Sequence, residues 1–158
     1  MPSVGQEPSR PALEALPPSG GPELVVHGSD LRSALVALPG LDLERGLQAV
    51  RGALSAFVRL LRKYLEIHEG ATVAFEALLA EGRTTEVRQR AHALIGAAGF
   101  LGAAQVAALA LQLERAIHEE ASTEEIHHRA SALAREQSTF CLALRDLLDR
   151  HDPLPPQP

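Results

Sequence analysis

The chain contains no tryptophan, one tyrosine and four phenylalanines, so aromatic residues fill only 3% of its 158 positions. A sheet or barrel core draws on aromatic and β-branched side chains, and their scarcity argues against one. Cysteine is equally scarce. The single Cys141 excludes an internal disulfide framework, fits a reducing compartment and suits a small buried apolar position. Basic charge is not in excess: 15 Lys and Arg against 20 Asp and Glu give a net charge of −5, which argues against a nucleic-acid partner. No basic segment followed by an apolar run opens the chain, so no signal peptide is expected. No charge falls between Ala93 and Leu111, a run that is mostly alanine and glycine and is broken by Gly96, Gly99 and Gly102. A bilayer needs about 20 predominantly apolar residues. Two helices joined by a tight turn explain the run better than a membrane span.

What is abundant is alanine and leucine, within an apolar fraction of 46%. These are strong helix formers, and the fraction is large enough for a sizeable core. The expected class is all-α, an antiparallel helical bundle with short links. Residues 1–29 are rich in proline and glycine and read as a flexible linker or tail, residues 30–151 as the bundle, and residues 152–158 as a Pro-rich tail.

Within the bundle, Asp30 is placed to cap a short helix carrying Leu31, Leu35 and Leu38, which Pro39-Gly40 ends. Asp42 is a good N-cap for a segment with Leu43, Leu47 and Val50. Leu54, Phe57, Val58, Leu61, Tyr64, Leu65 and His68 keep a helical spacing, and Gly70 marks a break or a kink before Ala71, Phe75, Leu78 and Leu79, with Gly82 as C-terminal cap. The central helix starts with Thr84 or Thr85 as cap and runs to about Gly99, with the turn at 99–102. The next helix, Ala103 to about Glu119, carries the stripe Val106, Leu109, Ala110, Leu113 and Ile117. Ser122 and Glu125 form a capping box for a last helix carrying Ile126, Ala130, Leu133, Gln137, Phe140, Leu144 and Leu147. Asp152-Pro153 stops it.

On a wheel at roughly 100° per residue, Val87, Ala91, Leu94, Ala98 and Leu101 form the core face of the central helix. His92 then lies roughly 140° from the centre of that face, pointing outward, with Arg88, Gly96 and Gly99 around it. Each interior glycine costs about 1 kcal/mol relative to alanine. One reason to accept that cost is close approach of another protein to the imidazole, which a larger side chain at 96 would crowd. The other is tight helix packing beside an ordinary surface histidine, and spacing alone leaves both open. An imidazole, with a pKa of about 6.5 in model peptides, offers an unprotonated nitrogen near neutral pH and suits reversible nucleophilic work.

The run Ala91-His92-Ala-Leu-Ile-Gly96-Ala-Ala-Gly99-Phe-Leu-Gly102-Ala, followed by Leu109 and Leu113-Glu114, resembles the signature of histidine-containing phosphotransfer (HPt) domains. Upstream, Leu38-Pro-Gly-Leu-Asp42-Leu-Glu-Arg-Gly46-Leu47 resembles the opening segment of HPt domains at the C-terminal end of bacterial hybrid sensor histidine kinases. The likeness covers about residues 36 to 150. It implies a four-helix bundle with additional short N-terminal helices, without kinase activity of its own, monomeric as an isolated domain and cytoplasmic even where the kinase is membrane-bound. It implies His92 as the phosphoryl acceptor, taking the group from a receiver-domain aspartate and passing it to another receiver. No cofactor is implied in this chain; the magnesium used in transfer belongs to the partner receiver. Residues expected around the phosphoryl group or a docked receiver are Arg88, Ile95, Gly96, Gly99, Gln112 and Glu114.

One position departs from the pattern. The family usually has lysine three residues after the histidine, and this chain has Ile95. Arg88, one turn before His92 on the same side, is placed to substitute, and Ile95 to add apolar contact for a receiver. Gln112 and Glu114 stand near the place where family members put a polar residue. Of the two, Gln112 is expected to be the donor, because an ionised carboxylate only accepts hydrogen bonds and repels phosphate.

Two other classes stay in view: a degenerate member that binds a receiver or another protein without carrying phosphate, and a helical metal- or ligand-binding bundle. His127-His128 with Glu124 and Glu125 would need two or more further ligands from another helix, and a solvated polar face is the simpler explanation. His118 with Glu114 reads as a surface pair, and His68 as a border or satisfied core histidine.

Overall fold

Apolar residues recur at helical rather than alternating spacing, and the computed structural model places seven helices and no strands among the residues it describes, 23–153, with side chains from residue 28 onward. The helices are α1 (Glu23–Ala37), α2 (Leu43–Gln48), α3 (Leu54–His68), α4 (Phe75–Ala80), α5 (Thr84–Leu101), α6 (Ala104–His118) and α7 (Thr123–His151). Of the tails expected over 1–29 and 152–158, residues 1–22 and 154–158 lie outside the described residues.

Helices α3, α5, α6 and α7 form the four-helix bundle. Helix α5 packs on α6 and α6 on α7, while α3 closes the ring against α5 and α7. Helix α1 lies on α7, α2 sits against α3 and α5, and α4 against α5 and α7. The core face expected for α5 is the one observed: Val87, Ala91, Leu94, Ala98 and Leu101 are all buried. Burying a side chain such as Leu94 is worth about 2 kcal/mol.

Helix ends differ from expectation more than helix faces do. Helix α1 begins at Glu23, inside the stretch read as linker, so Asp30 lies within it and caps nothing. No proline follows Pro22 before Pro39, so nothing in the sequence stops that helix from extending. Thr84 and Thr85 are likewise inside α5. Its N-cap is Arg83, whose guanidinium holds Glu86 at 2.6 Å and Glu81 at 2.9 Å, and no side chain caps the turn. Glu86 supplies the first-turn negative charge instead. Helix α5 also runs two residues further than expected, because Leu101 has to reach the core. Gly102, at φ +85°, then reverses the chain, with the Ala103 N–H donating to the Ala98 carbonyl at 2.8 Å. The expected caps of α2 and α7 are present: Asp42 Oδ1 accepts from the Arg45 N–H at 3.0 Å, and Ser122 Oγ from the Glu125 N–H at 3.2 Å. Residues between His68 and Phe75 form turns, so α3 and α4 are separate helices.

The start of α2 is docked on the α5–α6 turn. The Asp42 N–H donates to the Gly102 carbonyl at 2.8 Å. A Cβ on Gly102 would meet the Asp42 carbonyl oxygen at 2.3 Å, and one on Gly46 would meet the Leu101 oxygen at 2.4 Å. These two glycines are therefore required by backbone contact, and they fix the end of the helix that carries His92.

A buried polar relay ties α3 to α7. The Tyr64 hydroxyl donates to Gln137 Oε1 at 2.7 Å, and the Gln137 amide donates to the His68 carbonyl at 3.0 Å. His68 itself is half-buried, its ring 5.2 Å from that of Tyr64, and burial lowers its pKa. Outside the core, Arg62 holds the Asp152 carboxylate at the C-terminal end of α7 at 3.1 Å.

Candidate functional site

Helix α5 presents His92 to solvent because the same periodicity that buries Ala91 and Leu94 turns position 92 away from them. Its side chain is 75% exposed. Its Nδ1 lies 2.8 Å from Glu114 Oε1 on α6, and that carboxylate is only 22% exposed. An ionised carboxylate only accepts, so in a neutral imidazole this contact selects the tautomer with the proton on Nδ1 and the lone pair on Nε2. Arg88, Gln89, His92 and Glu114 line one open cleft of about 290 Å³.

The expectation for α6 is reversed. Gln112 is not at the imidazole. Two residues along a helix rotate the side chain by roughly 200°, so Gln112 and Glu114 leave α6 on opposite sides. Gln112 faces α7, where its Oε1 accepts from Arg129 at 3.0 Å. It lines a separate cleft of about 380 Å³ together with Arg115, Glu119, Glu125 and Arg129. Glu114 takes the place beside the histidine, and it does so as an acceptor.

The two glycines on the His92 strip also differ from expectation. A Cβ on Gly96 would meet nothing within 4 Å, the imidazole included, and one on Gly99 would touch only the Ala107 Cβ at 4.0 Å. Neither serves helix packing within the fold, and an alanine at 96 would leave the ring uncrowded. Ile95 is half-buried and packs against the core at the border of the exposed strip. Arg88 is exposed and, among the described residues, forms no ion pair or hydrogen bond. Its neighbour Arg90 is different, directed at the Ala71 carbonyl.

The sequence also holds a feature not picked out from its pattern. Phe100, two turns after His92, is 55% exposed, and Ile67 on α3 is 57% exposed. With Leu60, Lys63, Tyr64, His68, Ala97 and Leu101 they line a groove of about 140 Å³ between α3 and α5, which shares no residue with the His92 cleft. The signal was available, since Phe100 sits as far off the α5 core face as His92, roughly 140°. Of the remaining histidines, His118 and His128 are exposed and His127 half-buried. Among the described residues, no group of three or more His, Cys, Asp or Glu side chains is arranged to hold a metal ion. None of the described helices is long and apolar enough to cross a membrane.

The Hpt domain family model matches residues 52–152, and the chain belongs to that family. The matched span runs from the start of α3 to the end of α7, so the α2 segment with Asp42 and Gly46 precedes it. No curated protein and no solved structure matches the chain. Membership makes this a phosphorelay domain, a phosphoryl carrier rather than a kinase, of a kind that interacts with receiver domains.

Proposed function

We propose that this chain carries a phosphoryl group on Nε2 of His92, accepting it from the aspartyl phosphate of one receiver domain and passing it to another. The observation that carries this is the exposed imidazole whose Nδ1 is held 2.8 Å from Glu114. With the proton fixed on Nδ1, the Nε2 lone pair attacks phosphorus while the aspartyl O–P bond breaks, and the receiver carboxylate departs with that electron pair. The imidazolium so formed keeps its Nδ1 proton, and Glu114 offsets its positive charge. Reversal of the same step delivers the group to a second receiver.

The surroundings fit a docked protein better than a small substrate. His92 stands on an open strip with Gly96 and Gly99 rather than in an enclosed pocket, and the Phe100–Ile67 groove supplies apolar surface two turns further along α5, on its α3 side. Ile95 and Phe100 are assigned to receiver contact, Gly96 and Gly99 to leaving room for it.

Incubation with a phosphorylated receiver domain tests the assignment. Wild-type protein is expected to acquire an acid-labile, alkali-stable label, and His92→Gln to acquire none. Label that persists in His92→Gln would move the acceptor elsewhere. Tight receiver binding without label in the wild type would leave a binding module only.

A further inference from the structure

Charge at the candidate site does not balance once a phosphoryl group arrives. Phosphorylation adds about −1.5 to −2 at neutral pH. The nearest acidic group, Glu114, is already 2.8 Å from the imidazole, and it compensates the ring but repels the phosphoryl oxygens. Something cationic has to face those oxygens, or the phosphorylated state is disfavoured.

The cations around the site are mostly committed elsewhere. Arg90 reaches back to the Ala71 carbonyl, and Arg83 holds Glu81 and Glu86. Arg129 binds Glu125 and Gln112 on the far side of α6, and Arg115 lines that same separate cleft. His118, one turn beyond Glu114, is exposed but does not line the His92 cleft. Arg88 does line it, and it is the one cationic side chain among the described residues that does so without a partner. It precedes His92 by four residues, so the two side chains rise from one face of α5 as neighbours. Its long stem spans a helical turn, and a guanidinium presents a planar fork of donors suited to phosphate oxygens.

We infer that Arg88 is the phosphoryl counter-ion of this site, unpaired in the free protein because its partner is the group His92 acquires. The inference rests on His92 being the acceptor. It assigns opposite duties to the two charged neighbours: Glu114 holds the ring from Nδ1, and Arg88 holds the transferred oxygens from the Nε2 side. The apolar residue at position 95 is then no defect, since the cation arrives from the preceding turn.

The intact chain, phosphorylated with phosphoramidate and followed by phosphorus NMR, provides the test. A cation beside the phosphoryl group favours its dianion, so Arg88→Ala should raise the apparent second pKa of the phosphohistidine by roughly 0.2–0.7 unit. The same loss should shift the partition of phosphoryl between His92 and a receiver roughly two- to fivefold against His92. Arg88→Lys should restore most of both effects, and added salt should shrink them. Position 88 is exposed and alanine is a stronger helix former, so Arg88→Ala is expected to fold. Wild-type values of both quantities in Arg88→Ala would overturn the counter-ion assignment while leaving His92 as carrier. Failure of the wild type to be labelled on His92 would instead remove the carrier assignment, and this one with it.

Discussion

At the scale of single residues, glycines separate what the fold requires from what the surface offers. Gly102 and Gly46 sit where a Cβ would run into backbone oxygen at 2.3 and 2.4 Å, and Gly102 also needs φ +85°. Gly96 has open space in front of it and ordinary helical geometry. Gly96→Ala should therefore stabilise the free protein, by about 0.5–1 kcal/mol in chemical denaturation, because alanine loses less backbone entropy in a helix. If the proposed strip docks a receiver, phosphotransfer should fall roughly tenfold in the same variant, since a methyl there displaces the reacting groups. Gly102→Ala should do the reverse to stability and cost about 2 kcal/mol or more. A Gly96→Ala variant that is less stable than wild type would assign the glycine to the fold after all. Both glycines stand out in the sequence, but only the structure distinguishes them, because the Asp42 carbonyl that confines Gly102 comes from a segment sixty residues away.

At the scale of helices, faces were legible, and so were the ends of α2 and α7, but those of α1 and α5 were not. The five buried residues of α5 follow from periodicity alone, as does the outward direction of His92, because each depends only on 3.6 residues per turn and on apolarity. Ends depend on what the helix meets. Helix α5 extends to Leu101 because the core has a place for that side chain, and α2 docks on the turn that follows. Partners across helices were equally hidden: the family resemblance brought both Gln112 and Glu114 near the site, and only the rotation of α6 decided between them. The Tyr64–Gln137 bond is of this kind, joining α3 to α7 across 73 positions. Gln137 sits on an otherwise apolar stripe and is fully buried, so its amide needs both its partners. Tyr64→Phe should cost about 1–3 kcal/mol, lowering the denaturation midpoint with an unchanged slope, because Gln137 Oε1 is left without a donor. Combining it with Gln137→Leu should recover part of the loss, leaving only the Gln137 bond to the His68 carbonyl unreplaced. Additive losses in the double variant would mean the two groups do not act together.

At the scale of the whole molecule, the long α7 is the element that four of the other six helices lean on. It packs against α1, α3, α4 and α6, so exposing its inner face requires dismantling the bundle. Cys141 marks that face, 1% exposed, and its thiol is pushed up to about 12 by burial, then by the Glu69 carboxylate, with Arg145 partly opposing. At pH 8 such a thiol is ionised in only about one molecule in 10⁴, against a quarter or so for a free cysteine, and the surrounding side chains also exclude reagent. Alkylation by iodoacetamide should therefore be negligible in native buffer and rise only with global unfolding. Its dependence on denaturant should match the slope of helix loss measured by circular dichroism. A shallow dependence would mean that α7 separates locally from α3 while the rest stays folded. A matching dependence would mean that the scaffold holding His92 opposite Glu114 persists as long as the bundle does, so that the geometry of the proposed transfer site is set by the fold and not assembled by a docking receiver.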